Sequence, residues 1–470
     1  MTNARRDGIY LLLLGNLAFL LLSIVLCTPS HGAMVDFKVV YYPARCFIEH
    51  CDPYSEIEVQ RIVQKQEDVY TSKIQNAVQV LTRYIYPPTA FLFTIPIALL
   101  PMGPAHLLWL ALTAGALVLA SCLIWDLGAD YSPILSGALV GFLLANSELV
   151  VIVGNMAGIA IGLCMLAVWC FLRERFIPLG ILCLAVSLCT KPQDTGLVWL
   201  YFLLAGGVYR KRALQTLLVT VALSLPGVLW VWHVSPHWLQ EWHSNILAFS
   251  AHGGMNDPGP ASSGAHGLGL LVSLQPVFSL FWDDPRIYNP ATYLVCAPLL
   301  LVWAFCTLRY RRSPRTTWMA LAAIGALSML PVYHRQSDAA VLLLAIPACA
   351  MLWAERNAMG RLALLVTGTG LLFTADFPWA AILALINVLQ RSASGQFQKL
   401  FIAMQVFPVP LALLLVGVFY LWVYVRRCPA QSAAMRHESS STTDAHSEDR
   451  PMTKRNEPIR TLPPQARTGA

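Results

Sequence analysis

The sequence predicts an all-α polytopic membrane protein, and three observations carry that prediction. Of the 470 residues, 57% are hydrophobic and only 12% are charged, whereas an average soluble domain is about a quarter charged. Apolar runs approaching the ~20 residues that cross a bilayer recur along the chain. Short basic clusters stand between those runs, the pattern that marks cytoplasmic loops. Mean hydropathy is +0.58, so the surplus apolar surface must face lipid, and one helical membrane domain fits better than several globular ones. The formal charge of +7 belongs to the loop clusters and gives no footprint for nucleic-acid binding.

Taken in order, residues 1–8 carry Arg5 and Arg6 and form a cytoplasmic N-terminus. The run 9–27 is long enough to span and lacks a following small-x-small cleavage site, so it reads as an uncleaved first helix. Residues 28–87 then form a long extracytoplasmic loop. Its first half, MVDFKVVYYPARCFIEHCDPY over 34–54, interleaves Asp36 and Asp52 with tyrosines and prolines. Its second half places Ile57, Ile62, Val63, Val69, Ile74, Val78 and Leu81 at rough helical spacing. That spacing predicts one or two amphipathic helices lying on the membrane surface. Tyr86-Pro87-Pro88 ends the stretch, because a residue before proline is pushed out of the helical region.

Spans follow over 88–233 and 290–427, separated by an extracytoplasmic loop at 234–289 that is rich in Gly, Pro, His, Ser and Trp. Within that loop the apolar patch Leu268–Trp282 is placed to dip into the interface. Five basic clusters reach the cytoplasm if the chain crosses about twelve times, within a range of about eleven to thirteen. This parity treats 88–101, short and interrupted by Pro96, as a broken or re-entrant segment. The polar, Ser/Thr-containing tail 428–470 is expected to be a disordered cytoplasmic segment.

Most of the 12 cysteines lie in apolar runs, where Cys behaves as a small hydrophobe. Cys46 and Cys51 are the exception, close together in a polar loop. An extracytoplasmic location would let them pair.

The same parity gathers the chemistry-bearing residues on one face: Asp36, Asp52, Tyr86, Lys191, Asp194, His334, Arg335 and Asp338. Each alone has a plain reading. Asp36 could cap a helix, Lys191 could snorkel to the phosphate layer, and His334-Arg335 could touch headgroups. Acids and cations clustered on one rim favour chemistry instead. Nucleotide-activated sugars stay in the cytoplasm, so an enzyme working outside needs a donor anchored in the membrane. Lys191, Arg335 and His334 are the candidates to hold a donor phosphate and stabilise it as it leaves. Asp36 is the candidate base to take a proton from the attacking hydroxyl. No cofactor is required by this scheme, and no metal-ligand pattern of histidines and carboxylates supports a divalent cation.

These residues carry a family resemblance. Asp36-Phe37 with Val40-Tyr41-Tyr42, Asp52-Pro53-Tyr54, Tyr86-Pro87-Pro88, Gly154-Asn155, Lys191-Pro192 and Tyr333-His334-Arg335 with Asp338 occur in that order. In this the chain resembles glycosyltransferase family 87 of the GT-C superfamily. The resemblance implies a GT-C-like fold and an inverting hexosyltransferase, most often a mannosyltransferase. It also implies a polyprenyl-phosphate-sugar donor, a glycan or glycolipid acceptor, and a setting in the lipids of the bacterial plasma membrane with the site outside. By position it makes Asp36 the base, and it leaves Asp52, Tyr54, Tyr86, Asn155, Asp194 and Asp338 as substrate-binding or structural residues. His50-Cys51 precedes Asp52 where a glycine is usual, which bears on acceptor and sugar rather than on reaction type. Two other readings compete: a transporter or flippase of lipid-linked saccharides, and a polymer ligase. Transporters place polar residues and broken helices mid-membrane in repeated halves; here the charges sit at one rim and no repeat is evident.

Overall fold

In a computed structural model the described residues are 3–27, 34–66, 81–259, 271–392 and 397–444. Among them the chain is helical throughout, with one isolated β-bridge, Leu271 to Arg335.

The first helix, α1 (Asn3–Leu26), is followed by α2 (Val35–Ile48), α3 (Glu56–Gln66), a 3-10 turn (Pro88–Ala90) and α4 (Phe91–Ala98). Next come α5 (Met102–Gly128), α6 (Pro133–Leu144), the single turn α7 (Leu149–Ile152), α8 (Ala157–Arg173), α9 (Ile177–Thr190) and α10 (Pro192–Leu204). The chain continues with α11 (Gly207–Val234), α12 (Trp238–Ser250), α13 (Gln275–Ser279), α14 (Pro285–Arg309) and α15 (Pro314–Leu327). A 3-10 segment (Gln336–Leu344) runs into α16 (Ala345–Ala354), followed by α17 (Ala358–Thr374), α18 (Asp376–Ser392), α19 (Gln398–Val406) and α20 (Pro408–Asp444). Prolines open α6, α10, α14, α15 and α20, where the missing N–H is one the helix would leave unpaired anyway. Ser313 and Thr316 add a reciprocal capping box to α15, and Asn357 caps α17 by accepting from Gly360 N.

Among the described residues, seven helices are long and apolar enough to cross a membrane, or eight if α17 and α18, bent by 69° at Ala375, count as one span. Helix length alone therefore does not confirm the expected count of about twelve. Segments 156–172 and 176–190 are helical but form the shorter helices α8 and α9; 194–209 and 316–333 likewise give only α10 and α15. The broken character expected at 88–101 is present, as a 3-10 turn running into the eight-residue α4 with Pro96 inside it.

Two further departures bear on the site. The stretch after Met34 is a buried helix rather than an open loop: Phe37, Val39, Val40, Tyr41 and Tyr42 all point into the core. The chain accommodates Pro43 inside α2, even though proline removes a helical donor. At the other end, α20 continues to Asp444, past the 428 boundary where disorder was expected; residues 445–470 lie outside the described set, as do 67–80 of the expected amphipathic region.

The first span is locked to α6 through glycines. A methyl at Gly8 would sit 2.4 Å from Pro133 O, and one at Gly15 would sit 2.3 Å from Gly141 Cα. Small residues that let backbones touch are the usual means of helix association in lipid. α1 precedes the segment that carries Asp36, and α6 precedes α7 and Asn155.

Candidate active site

Asp36 lies in the first turn of α2, and backbone contacts hold that turn against the end of α7. Met34 N donates to Ile152 O and Asp36 N donates to Val153 O, both at 2.8 Å. The next residue, Gly154, has φ +70°, and a Cβ there would lie 2.8 Å from Phe37 Cβ. Trp109 Nε1 donates to Gly154 O at 2.9 Å while its ring packs 4.9 Å from that of Phe37. Only glycine meets both demands, the left-handed backbone and the lack of room. Gly154→Val is expected to lower the melting temperature, costing about 1–3 kcal/mol, and to reduce transfer by displacing Asp36. Thermal unfolding and activity measured together check this.

Asn155 joins Asp36 to the cations. Its amide donates to Asp36 Oδ2 at 2.6 Å, and its Oδ1 accepts from Lys191 Nζ at 3.2 Å and from Ala157 N at 2.8 Å. Lys191 sits between α9 and α10, with Pro192 starting the second helix. Its ammonium also donates to Asp338 Oδ1 and lies 3.2 Å from Asp194 Oδ2. His334 Nε2 is 3.3 Å from Asp194 Oδ1. Neither Asp194 contact has hydrogen-bond alignment; the one with Lys191 is an ion pair by distance, and the one with His334 is so when the imidazole is protonated. Asp338 Oδ2 in turn accepts from Arg335 N at 2.9 Å. Two segments far apart in sequence are thus tied together, 334–338 and 191–194. The first is itself held by a short pairing in which Val272 N donates to His334 O at 3.0 Å.

This arrangement gives two of the expected phosphate-binding cations internal partners. Lys191 is 4% exposed and His334 is fully buried, and both face carboxylates of this network. Lys191 neutralises Asp194 and Asp338. Burial works against its charge, but those two carboxylates more than offset it and hold its pKa above the ordinary lysine value. For His334, burial again disfavours the cation, and Asp194 and Asp338 outweigh it, so the imidazole pKa is raised. Asp194, His334 and Asp338 bring ligand-type atoms close enough to hold a metal. The Lys191 ammonium contacts both carboxylates of that set, so an internal cation already serves them.

Arg335 differs from Lys191. It is half-buried, and its guanidinium donates to neutral acceptors: Tyr333 Oη, Met255 O at 3.3 Å and Asn256 Oδ1 at 3.2 Å. Burial opposes its charge, while Tyr333 and Asp36 favour it, and the balance keeps the guanidinium ionised. Asp36 is also only half-buried. Burial is the largest influence on its carboxyl and raises the pKa above the usual aspartate value, with Arg335 and Asn155 pulling the other way. Tyr86 belongs to the same surroundings, since Asp36, Lys191 and Tyr333 all act on its phenol.

Asp52 and Tyr54 are brought near this cluster only through Tyr86. Asp52 closes a turn, accepting from Tyr54 N at 2.9 Å while its own N–H donates to Glu58 Oε2 at 2.6 Å. It also faces Glu241, whose pKa burial and the Asp52 carboxyl push up to about 7. The buried Tyr54 donates through Oη to Tyr86 O at 2.9 Å. Cys46 and Cys51 form a disulfide across this turn.

Sequence reasoning named Tyr333 in the family motif without giving it a role, and it missed Asn256 and Trp109. The turn-forming run Asn256-Asp257-Pro258-Gly259 was visible, but nothing local says that it reaches Arg335.

Chemically, the arrangement offers a half-exposed carboxylate held by an amide, beside a half-exposed arginine with only neutral hydrogen-bond partners. No curated protein and no solved structure matches the chain. A family match covers residues 84–333, more than half the chain; it includes Tyr86, Asn155, Lys191, Asp194 and Tyr333, and it leaves out Asp36 and 334–338. The match decides between the transferase reading and the transporter reading. The chain belongs to glycosyltransferase family 87 and is a membrane glycosyltransferase.

Proposed function

We propose that the protein transfers a hexose, mannose foremost, from a polyprenyl-phosphate sugar to a hydroxyl of a glycan or glycolipid, with inversion at the anomeric carbon. The observation that carries this reading is the division between the two cations. Lys191 is enclosed by carboxylates, whereas Arg335 is half-exposed beside Asp36 and, among the described residues, hydrogen-bonds only neutral groups. A phosphate-linked donor needs such a cation at headgroup height, because negative charge grows on the phosphate as the glycosidic bond breaks.

In the reaction, Asp36 accepts the proton of the acceptor hydroxyl through Oδ1, the oxygen not held by Asn155. The hydroxyl oxygen forms its bond to the anomeric carbon from the face opposite the phosphate. The bond from anomeric carbon to phosphate oxygen breaks, and the electron pair leaves on the polyprenyl phosphate, opposite Arg335. A carboxylate whose pKa burial has raised is a stronger base than a free one. Asn155 orients it, and Lys191, held by Asp338 and Asp194, orients Asn155. The Cys46–Cys51 disulfide supports an extracytoplasmic site, since such bonds persist in oxidising surroundings. An inner bacterial membrane with the site facing outward fits these features.

The test is purified protein in lipid vesicles supplied with labelled polyprenyl-phosphate mannose, the glucose counterpart and GDP-mannose. Product from the lipid donors alone supports the reading; product from GDP-mannose alone would sink it. Arg335→Ala should lower kcat by about 10²–10³-fold and Arg335→Lys by less. Equal rates for Arg335→Ala and the parent would remove Arg335 from the donor site.

A further inference from the structure

α10 begins at the candidate site with Asp194 and ends at Leu204, and α15 begins at Pro314 and leads back toward 333–338. The connections at 205–206 and 310–313, with the first turns of α11 and α15, therefore lie at the end of these helices away from the candidate site. A cavity of about 350 Å³ opens there, lined in part by Tyr131, Arg173, Tyr209, Arg312 and Ser313. That is within the range of ligand pockets, ~300–1,000 Å³. Beside it runs a groove of about 440 Å³ lined by Gly207, Arg210, Lys211, Leu214 and Leu218, among others.

The charges in the cavity are unevenly compensated. Arg173 is taken up by carboxylates, lying 2.9 Å from Asp126 Oδ2 and 2.7 Å from Asp130 Oδ2. Asp130, the acid in the cavity wall, is thereby neutralised. Arg312 has no such partner: among the described residues no carboxylate pairs with Arg312, Arg210 or Lys211. The Arg312 guanidinium is nonetheless held in place, 5.0 Å over the Tyr209 ring and against Gly207, where a Cβ would come within 2.4 Å of Nη2. Gly207 also lines the groove, so Arg312 stands where cavity and groove meet.

The groove supplies the second half of the argument. Leu214 is 51% and Leu218 70% exposed. They lie on α11, a helix with a membrane-length apolar window of which 6% is buried inside the protein. That flank faces acyl chains. A fixed, unpaired cation at the mouth of a polar cavity, continuous with basic residues and then an apolar track, matches an amphiphile with an anionic head.

We infer that this face binds an anionic phospholipid of the adjoining leaflet, with its phosphate at Arg312 and Lys211 and its acyl chain along Leu214 and Leu218. The site is independent of the donor site and of the transfer reaction.

The experiment places the full-length protein in nanodiscs of phosphatidylcholine with a minor share of phosphatidylglycerol and records retained lipid by native mass spectrometry. The parent should keep phosphatidylglycerol in preference to phosphatidylcholine. R312A/K211A should lower that retention by roughly 30-fold, on the order of fivefold for each charge removed, while R312K retains most of it. A second measurement needs no variant: phosphatidylglycerol titrated into detergent-solubilised parent should raise its melting temperature, and phosphatidylcholine should not. Equal retention of the two lipids by the parent, unchanged retention in R312A/K211A, or no thermal difference between the lipids would overturn the proposal. So would displacement of the lipid by millimolar inorganic phosphate, which would mark a site for free anions instead.

Discussion

Asp36→Asn should lower the rate of glycosyl transfer by about 10²–10⁴-fold, the usual share of a general base, and leave the protein folded. The substitution is nearly isosteric. Asn155 can still donate to the retained oxygen, and the backbone bond from Asp36 N to Val153 O does not involve the side chain. What is lost is the group proposed to take the proton. Burial holds the Asp36 pKa above that of a free aspartate, so the parent's kcat/KM should fall on its acidic side at a higher pH than an unperturbed aspartate would give. The sign follows from the role: below the raised pKa the carboxyl is protonated and cannot accept a proton, and above it the base is competent. The residual activity of Asp36→Asn should lack that acidic limb. Parent-like turnover in the variant, or an acidic limb that survives in it, would remove Asp36 as the base. Circular dichroism and the melting temperature should be unchanged, separating chemistry from folding.

Lys191→Met should act mainly on stability. The ammonium bonds Asn155 and Asp338 and pairs with Asp194 in a site 4% exposed. Its removal leaves two buried carboxylates with reduced compensation, and breaking a buried pair from one side costs roughly 3–5 kcal/mol. The loss reaches Asp36 through Asn155, so activity should fall as well. K191M/D338N separates the two effects. Removing one of the stranded charges should recover a sizeable part of the melting temperature, because Asn can still accept from Arg335 N. Transfer should stay low, because Asn155 Oδ1 then keeps only its bond from Ala157 N and loses the lysine that fixes it toward Asp36. If Lys191→Met bound donor more weakly at unchanged melting temperature, the enclosed arrangement described for Lys191 would be wrong, and the phosphate-binding role expected from sequence would return. Equal and independent losses in the single and double variants would likewise show that the charges are not coupled.

Much of this site was legible before the fold was known, and for a physical reason. Span parity depends only on hydrophobic length and basic loops, and it placed Asp36, Lys191 and 334–338 on one rim. The structure brings those residues into one network. Burial was not legible. Lys191 looks like a snorkelling lysine until Asp338, 147 positions away, is seen to receive its proton donor. No local pattern reports a partner at that separation. The helix α2 was hidden for a different reason. Prolines, tyrosines and Asp36 resemble loop composition, yet the aromatic rings fill the core and tertiary packing overrides propensity. The count of spans is not confirmed by helix length, because apolar runs report composition, whereas α8, α9, α10 and α15 are only 13–17 residues long.

The glycine contact between α1 and α6 also has a consequence for biosynthesis. The backbone bonds that seat the Asp36 turn against 152–153 are encoded before residue 160, so these parts leave the ribosome early and can dock as a pair once both have entered the bilayer. Lys191 emerges next, with Asn155 and Asp194 to receive it. Asp338 and Arg335 follow only after α11 to α15 have been made. During that interval the nascent chain carries a lysine awaiting its second carboxylate, so the order of translation, as well as the final packing, decides when the catalytic face can close.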